Sequence, residues 1–272
     1  MVNIVSIYVE DVRFPTSKDL TGSDAIHTDP DYSATYVTIN TSEPKLKGFG
    51  IAFTIGKGND IVAECIRNYI PIFDGLSIKE VEKNIGKLWY DCVDHSQLRW
   101  LGPEKGVVHM ATSAIFNALW DLISKKSNKP LWKYIVDQDP DQIMNWLVFK
   151  YIEDTLSKDE AYNFLVEGQK NKSERIEVLL REGYPSYTTA AGWLGYSNEK
   201  IVNLCEKYIS MGWKHFKVKV GTNLDEDVKN KVKDRKAIHS SLGAAFFIDN
   251  YKGMEARDTN LEEYSNEHPI VR

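Results

Sequence analysis

Between residues 213 and 221 the chain reads WKHFKVKVG, with His215, Lys217 and Lys219 at one parity and Phe216, Val218 and Val220 at the other. Successive side chains of a strand point to opposite faces, so this pattern predicts a strand with one apolar and one basic face. Residues 4–14 and 34–40 alternate in the same way, and residues 48–55, leaving through the turn Gly56-Lys57-Gly58, predict a further strand of a small antiparallel sheet. The period then changes. Helices are expected over about 60–70, 78–90 and 107–125, where Ile115, Leu119, Leu122 and Ile123 recur at helical spacing. Pro130 opens a short helix through Leu131 and Ile135, and the polar stretch 137–142 marks a boundary.

Beyond residue 185 strand and helix alternate. A strand over 187–191 is followed by a helix from Ser197 with Ile201, Leu204, Cys205 and Tyr208 on one face, closed by Gly212 before the lysine strand. Asp225 opens another helix, with Val228, Val232 and Ile238 inward, and an apolar run from Ala244 to Ile248 ends in Asp249. Such repetition predicts a parallel sheet covered on both faces, with Phe216, Val218 and Val220 against helices and the lysines turned into a barrel or crevice. The expected organisation is an α+β domain over 1–137, a β/α domain over 138–254 and a loosely ordered, acid-rich tail over 255–272.

At 42% hydrophobic and 27% charged, the 272 residues have the composition of a soluble globular protein. A net charge of -5 argues against a dedicated nucleic-acid binder while leaving room for a local basic pocket. No run approaches the ~18 apolar residues of a spanning helix, and the start MVNIVSIYVEDVRF has neither a signal peptide's basic lead nor a transit peptide's lack of acids. A cytoplasmic location with no membrane association is therefore expected. Cys65, Cys92 and Cys205 are odd in number and far apart, which predicts reduced, buried thiols.

Three features bear on chemistry. Lys217 and Lys219 lie two strand steps apart, roughly 7 Å, so each cation disfavours protonation of the other and a neutral lysine becomes available as a base. Asp249 ends the next apolar strand, where β/α proteins place their chemistry. Two lysines and a carboxylate suit proton abstraction beside a carboxylate group, with a divalent cation stabilising the enediolate. Other patterns fail. Residues 50–57 have no Ser or Thr after the lysine and do not make a phosphate loop. The basic run 229–236 shares its helix with Asp225, Glu226 and Asp227 and reads as a solvated face, and His27, His109, His239 and His268 have no partner at metal spacing.

The stretches RFPTSKDLTGSDAIHTDPDYSATYV, FTIGKGN, SQLRWLGPEKGVVHMAT, NALWDL, KPLW, GYPSYTTAAGWLGYSNEKI and HFKVKVG together closely resemble the L-fuconate dehydratase branch of the enolase superfamily, from about residue 10 to 228. The resemblance implies an α+β capping domain over a (β/α) barrel, of which about three strands are present. It assigns α-proton removal to Lys219 and the substrate carboxylate to Lys217. Further substrate contacts fall on Gly22, Ser23, Asp24 and Tyr32, within GSDAIHTDPDY. Asp249 matches the first of three carboxylates that bind Mg2+. The implied substrate is a small acid sugar that loses water to give a 2-keto-3-deoxy acid, and the branch includes proteins named for the mitochondrion.

The family's Asp-Ala-Asn-Gln stands here as Asp249-Asn250-Tyr251-Lys252, where the resemblance ends. The other two metal carboxylates and the His-Asp pair that serves the departing hydroxyl are not matched. The expectation is thus a chain shortened after its third barrel strand, with little or no turnover alone and an open edge prone to self-association. The alternative is a non-catalytic homologue that acts as a binding protein.

Overall fold

The computed structural model describes residues 1–102 and 104–221 and the backbone of a strand at Ala245–Asn250. The chain divides into two compact units, one of Met1–Pro15 with Asp31–Tyr184, the other of Thr16–Pro30 with Pro185–Arg272.

The first unit is built on an antiparallel sheet of β1 (Ile4–Arg13), β2 (Ser33–Thr41) and β3 (Lys47–Thr54) in that order. Ile7 pairs with Ile39 and Val9 with Val37, and a register shift between Ile4 and Ser6 turns Ile4 to the same apolar side. That irregularity explains how Ile4 and Ile7, three positions apart, are both buried. On β3 the inward positions are Gly48, Gly50 and Ala52, while Phe49, Ile51 and Phe53 face outward.

Helices α1 (Asn59–Phe73) and α3 (Val107–Lys126) cover the inner face, and α2 (Ile78–Val93) packs on α3. Ser77 begins α2 with a capping box, its hydroxyl accepting from Glu80 N–H while the Glu80 carboxylate accepts from Ser77 N–H. Buried Asn59, at the start of α1, ties the strands together: its side-chain oxygen accepts from the Thr35 and Thr54 hydroxyls, and its amide donates to Asp11 at 2.5 Å. Contrary to the sequence expectation, α3 is long and apolar enough to cross a membrane. It is the central helix of this core, with Ala111, Ala114, Ile115, Ala118, Leu119 and Leu122 all buried.

The polar stretch 137–142 is not where the units part. It leads into α5 (Pro140–Trp146), after the short α4 (Leu131–Val136), and Trp146 packs edge-on to Trp120 at 5.0 Å and stacks on Tyr134 at 6.0 Å. The Trp146 indole also donates to the Glu82 carbonyl at 3.0 Å. These contacts fix α5 in the first unit, which runs on to Tyr184 and includes α6 (Lys158–Glu167) and α7 (Lys172–Glu182).

In the second unit α8 (Asn198–Ser210) starts at Ser197, whose hydroxyl accepts from Lys200 N–H, and Gly212 follows it with a left-handed φ of 92°. Strand β4 (His215–Val220) pairs in parallel with β5 (Ala245–Asn250). The strand expected over 187–191 shrinks to one parallel bridge, Thr188 with Phe216, because the chain turns at once through the Gly192 N–H to Thr189 carbonyl bond. Ala191, Tyr196, Ile201, Cys205, Phe216 and Val218 form the core of this unit. All three cysteines are free and buried. The helix expected from Asp225, the basic run 229–236 and the tail 255–272 lie outside the described residues.

Candidate active site

Strand β4 has the two faces its pattern predicts. Phe216 and Val218 are wholly buried, whereas His215, Lys217 and Lys219 are half-buried on the other side. One edge of β4 is held by the incoming chain: Thr188 N–H donates to the His215 carbonyl at 3.0 Å, and Lys217 N–H to the Thr188 carbonyl at 2.8 Å. Lys219 N–H donates to the Gly192 carbonyl at 2.8 Å. That approach requires glycine, since a Cβ at residue 192 would lie 2.4 Å from the Lys217 carbonyl oxygen and 2.6 Å from Val218 Cα. The other edge carries β5, whose register sets Asp249 opposite Lys219 and Phe247 opposite Lys217. The Lys217 ammonium lies 5.7 Å from the centre of the Tyr187 ring.

The Thr16–Pro30 loop belongs to the same unit and carries three of the expected substrate residues. It opens with a turn in which Leu20 (φ 58°) and Gly22 (φ 91°) are both left-handed. Ser23 is buried and fixed on both sides of its backbone and side chain: Leu194 N–H donates to its carbonyl at 3.2 Å and Gly195 N–H to its hydroxyl at 2.9 Å. Asp24 is also buried, and its carboxylate accepts from Ile26 N–H at 2.9 Å and His27 N–H at 2.7 Å, with the His27 ring at 3.3 Å. Burial alone would raise the Asp24 carboxyl, but the His27 and Ile26 amides and the His27 ring together hold it below the ordinary carboxylate range.

A carboxyl lowered on folding stabilises the loop fully above its unfolded value, about 4, and that stabilisation is lost as pH falls through the lowered folded value. NMR titration of the Asp24 carboxyl carbon should therefore give a midpoint below that of free aspartate. A midpoint above it would mean that burial outweighs the loop amides.

The structure thus brings Gly22, Ser23, Asp24, Lys217 and Lys219 into one unit, and gives Ser23 and Asp24 internal hydrogen bonds that shape the loop. Tyr32 lies in the other unit, edge-on to Phe53 at 4.8 Å. Asp249 is described in its backbone alone. Among the described residues no group of three His, Cys, Asp or Glu side chains could hold a metal ion. Sequence reasoning gave no role to Tyr187, Gly192, Gly195, Tyr196 or Lys200. The signal available for them was the pair of glycines in the irregular GYPSYTTAAGWLGY stretch, where close backbone approach is the usual reason for glycine.

No protein-family model matches the chain. Mitochondrial enolase superfamily member 1 of Xenopus laevis is 46% identical over 227 residues, which is 83% of this chain and 51% of that protein. The L-galactonate dehydratase of Hypocrea jecorina is 41% identical over 249 residues, 91% of this chain and 55% of that one. The chain spans about half the length of the curated relatives it matches. Among solved structures, human mitochondrial enolase superfamily member 1 superposes with a TM-score of 0.82 at 39% identity, covering 97% of this chain and 59% of that one. The L-talarate/galactarate dehydratase of Salmonella typhimurium, solved with Mg and L-lyxarohydroxamate, shares the fold at TM-score 0.58 and 15% identity, covering 99% of this chain and 56% of that one. In sequence and in fold, this chain is a homologue, over 83% of its length, of the mitochondrial enolase superfamily member 1 proteins.

Proposed function

We propose that the lysine face of β4 is the proton-abstracting part of an acid-sugar dehydratase site of the L-fuconate type. The observation that carries the reading is the geometry of β4, with Lys217 and Lys219 on the face opposite buried Phe216 and Val218 and Asp249 in register with Lys219. Its substrate class is supported by a relative named as an L-galactonate dehydratase.

In this reading the Lys217 ammonium pairs with the substrate carboxylate. Lys219, on the same face of the strand, is the base that takes the proton from the adjacent carbon. The C–H electron pair moves into the carboxylate to give an enediolate. Collapse of the enediolate expels the hydroxyl of the next carbon, which takes up a proton from solvent and leaves as water while Lys219 returns its proton to solvent. The resulting enol becomes the 2-keto-3-deoxy acid by moving a proton to carbon. Asp249 is the residue proposed to offer magnesium an oxygen ligand. Because the described residues contain no complete metal site, these steps are assigned to the lysines alone.

Binding tests the substrate class. Isothermal titration of the full chain with L-fuconate and L-galactonate, magnesium present throughout, should show binding that the matching uncharged alditols lack. Lys217→Ala should weaken it roughly tenfold or more, the loss of a charge-assisted pair. Equal affinity for acid and alditol, unchanged in Lys217→Ala, would remove the acid-sugar reading and leave a non-catalytic homologue.

A further inference from the structure

We infer that Tyr196 and Lys200 are positioning residues that seat the Thr16–Pro30 loop against the turn at residues 192–196, and through it hold Ser23 and Asp24 beside the lysine strand. Five contacts converge there. The buried Tyr196 hydroxyl shares a hydrogen bond of 2.7 Å with the Thr21 hydroxyl. The Lys200 ammonium sits 3.6 Å from the centre of the Tyr196 ring and reaches the Asp19 carbonyl at 3.4 Å. Leu194 and Gly195 donate their amides to Ser23. Gly195 leaves room for the loop, since a Cβ there would lie 2.7 Å from Leu20 Cβ and 3.0 Å from the Ser23 hydroxyl.

The turn that receives the loop also supports the base. Gly192, two residues before Leu194, accepts the Lys219 amide at 2.8 Å. Residues 192–195 therefore link the backbone of Lys219 to that of Ser23 by hydrogen bonds at both ends. Tyr196 is the first residue after this link, and Lys200 stands on the first turn of α8 with its cation above the ring. The cation on the ring and the hydroxyl bond act on the same tyrosine, one fixing its face and the other its tip. Loosening either should free the loop while leaving the strand pairing of β4 in place. The consequence for ligand affinity rests on the acid-sugar reading above; the consequence for loop order does not.

Amide hydrogen exchange of the full chain, read by mass spectrometry, separates the two. Tyr196→Phe keeps the ring under Lys200 and removes only the hydroxyl, and should speed exchange in the peptides containing Ser23, Asp24, Leu194 and Gly195 by roughly fivefold. Thr21→Val should give the same increase, and the double variant no more than either single one. Lys200→Met should raise exchange in the same peptides by roughly twofold to threefold, and Lys200→Arg, which keeps a cation over the ring, should restore wild-type protection. Peptides of α3 serve as the reference and should not change. In titrations, Tyr196→Phe should weaken acid-sugar binding by roughly threefold to tenfold. Unchanged loop exchange in Tyr196→Phe and Lys200→Met would overturn the inference, as would acceleration of the loop and α3 together in all variants. Faster loop exchange in a protein that binds no acid sugar would uphold the seating and overturn the functional reading alone.

Discussion

Gly50→Ala is expected to destabilise the first unit by about 3 kcal/mol, at the upper end of what overpacking does to a core. The reason is how closely α3 approaches β3. A Cβ on Gly50 would lie 2.1 Å from the Ala114 carbonyl oxygen and 2.6 Å from the Ala118 nitrogen, and one on Gly48 would lie 2.2 Å from the Ala118 carbonyl oxygen. These are backbone atoms of a helix whose own hydrogen bonds fix them, so neither partner can turn aside as a flexible side chain would. The helix must lift from the strand, which opens the contacts made by buried Ile115, Leu119 and Leu122 on the same helix.

For a unit of this size about 3 kcal/mol corresponds to a fall of roughly 6–12 °C in Tm. Ile51→Ala, on the outward face of the same strand where Ile51 is 43% exposed, should change Tm by much less. Thermal unfolding followed by circular dichroism makes the comparison. Similar Tm values for Gly50→Ala and the wild type would mean that α3 does not sit on β3 at this distance.

What the sequence made legible depended on whether the signal was local. The faces of β4 were readable because strand parity alone decides them, and Phe216 and Val218 are buried as that parity requires. The starts of α2 and α8 were readable from helical periodicity, which placed them near residue 78 and at Ser197. The second unit's shape was less so. Residues 187–191 alternate like a strand but pair at Thr188 only, because the turn that follows is set by Gly192 meeting Val218, a contact between distant positions. Helix α7 gave little periodic signal because none of its residues is buried. Residues 138–184, expected in the β/α domain, group with the first unit for a similar reason. The decisive contacts, Trp146 with Trp120 and Tyr134, depend on where three helices meet and not on the polar composition of 137–142.

The candidate site divides along the same line. Lys217, Lys219 and Asp249 could be placed from two strands and their order, and the backbone register sets Asp249 opposite Lys219. Ser23 and Asp24 could be named from resemblance, but their hydrogen bonds could not. The partner of the Ser23 hydroxyl is Gly195, 172 positions away, and nothing in either segment alone announces it. Tyr196 and Lys200 were missed because their importance lies in that same long-range seating.

Loss of the base should produce the largest functional effect. A general base commonly accounts for a hundredfold to ten-thousandfold in rate, and Lys219 is the residue assigned that task. The most direct measurement is exchange of the substrate's α-proton for deuterium, because it reports proton abstraction whether or not water is later expelled. L-fuconate or L-galactonate incubated in D2O with the full chain and magnesium, followed by proton NMR, should lose its α-proton signal with the wild-type protein. Lys219→Ala should exchange at least about a hundredfold more slowly. Lys219→Arg should be equally slow, since a guanidinium keeps its charge and cannot accept the proton. Both variants should retain the wild-type Tm. Exchange that proceeds at the wild-type rate in Lys219→Ala, or that is missing from a wild-type protein shown to bind the acid sugar, would contradict the assignment of Lys219 as the base.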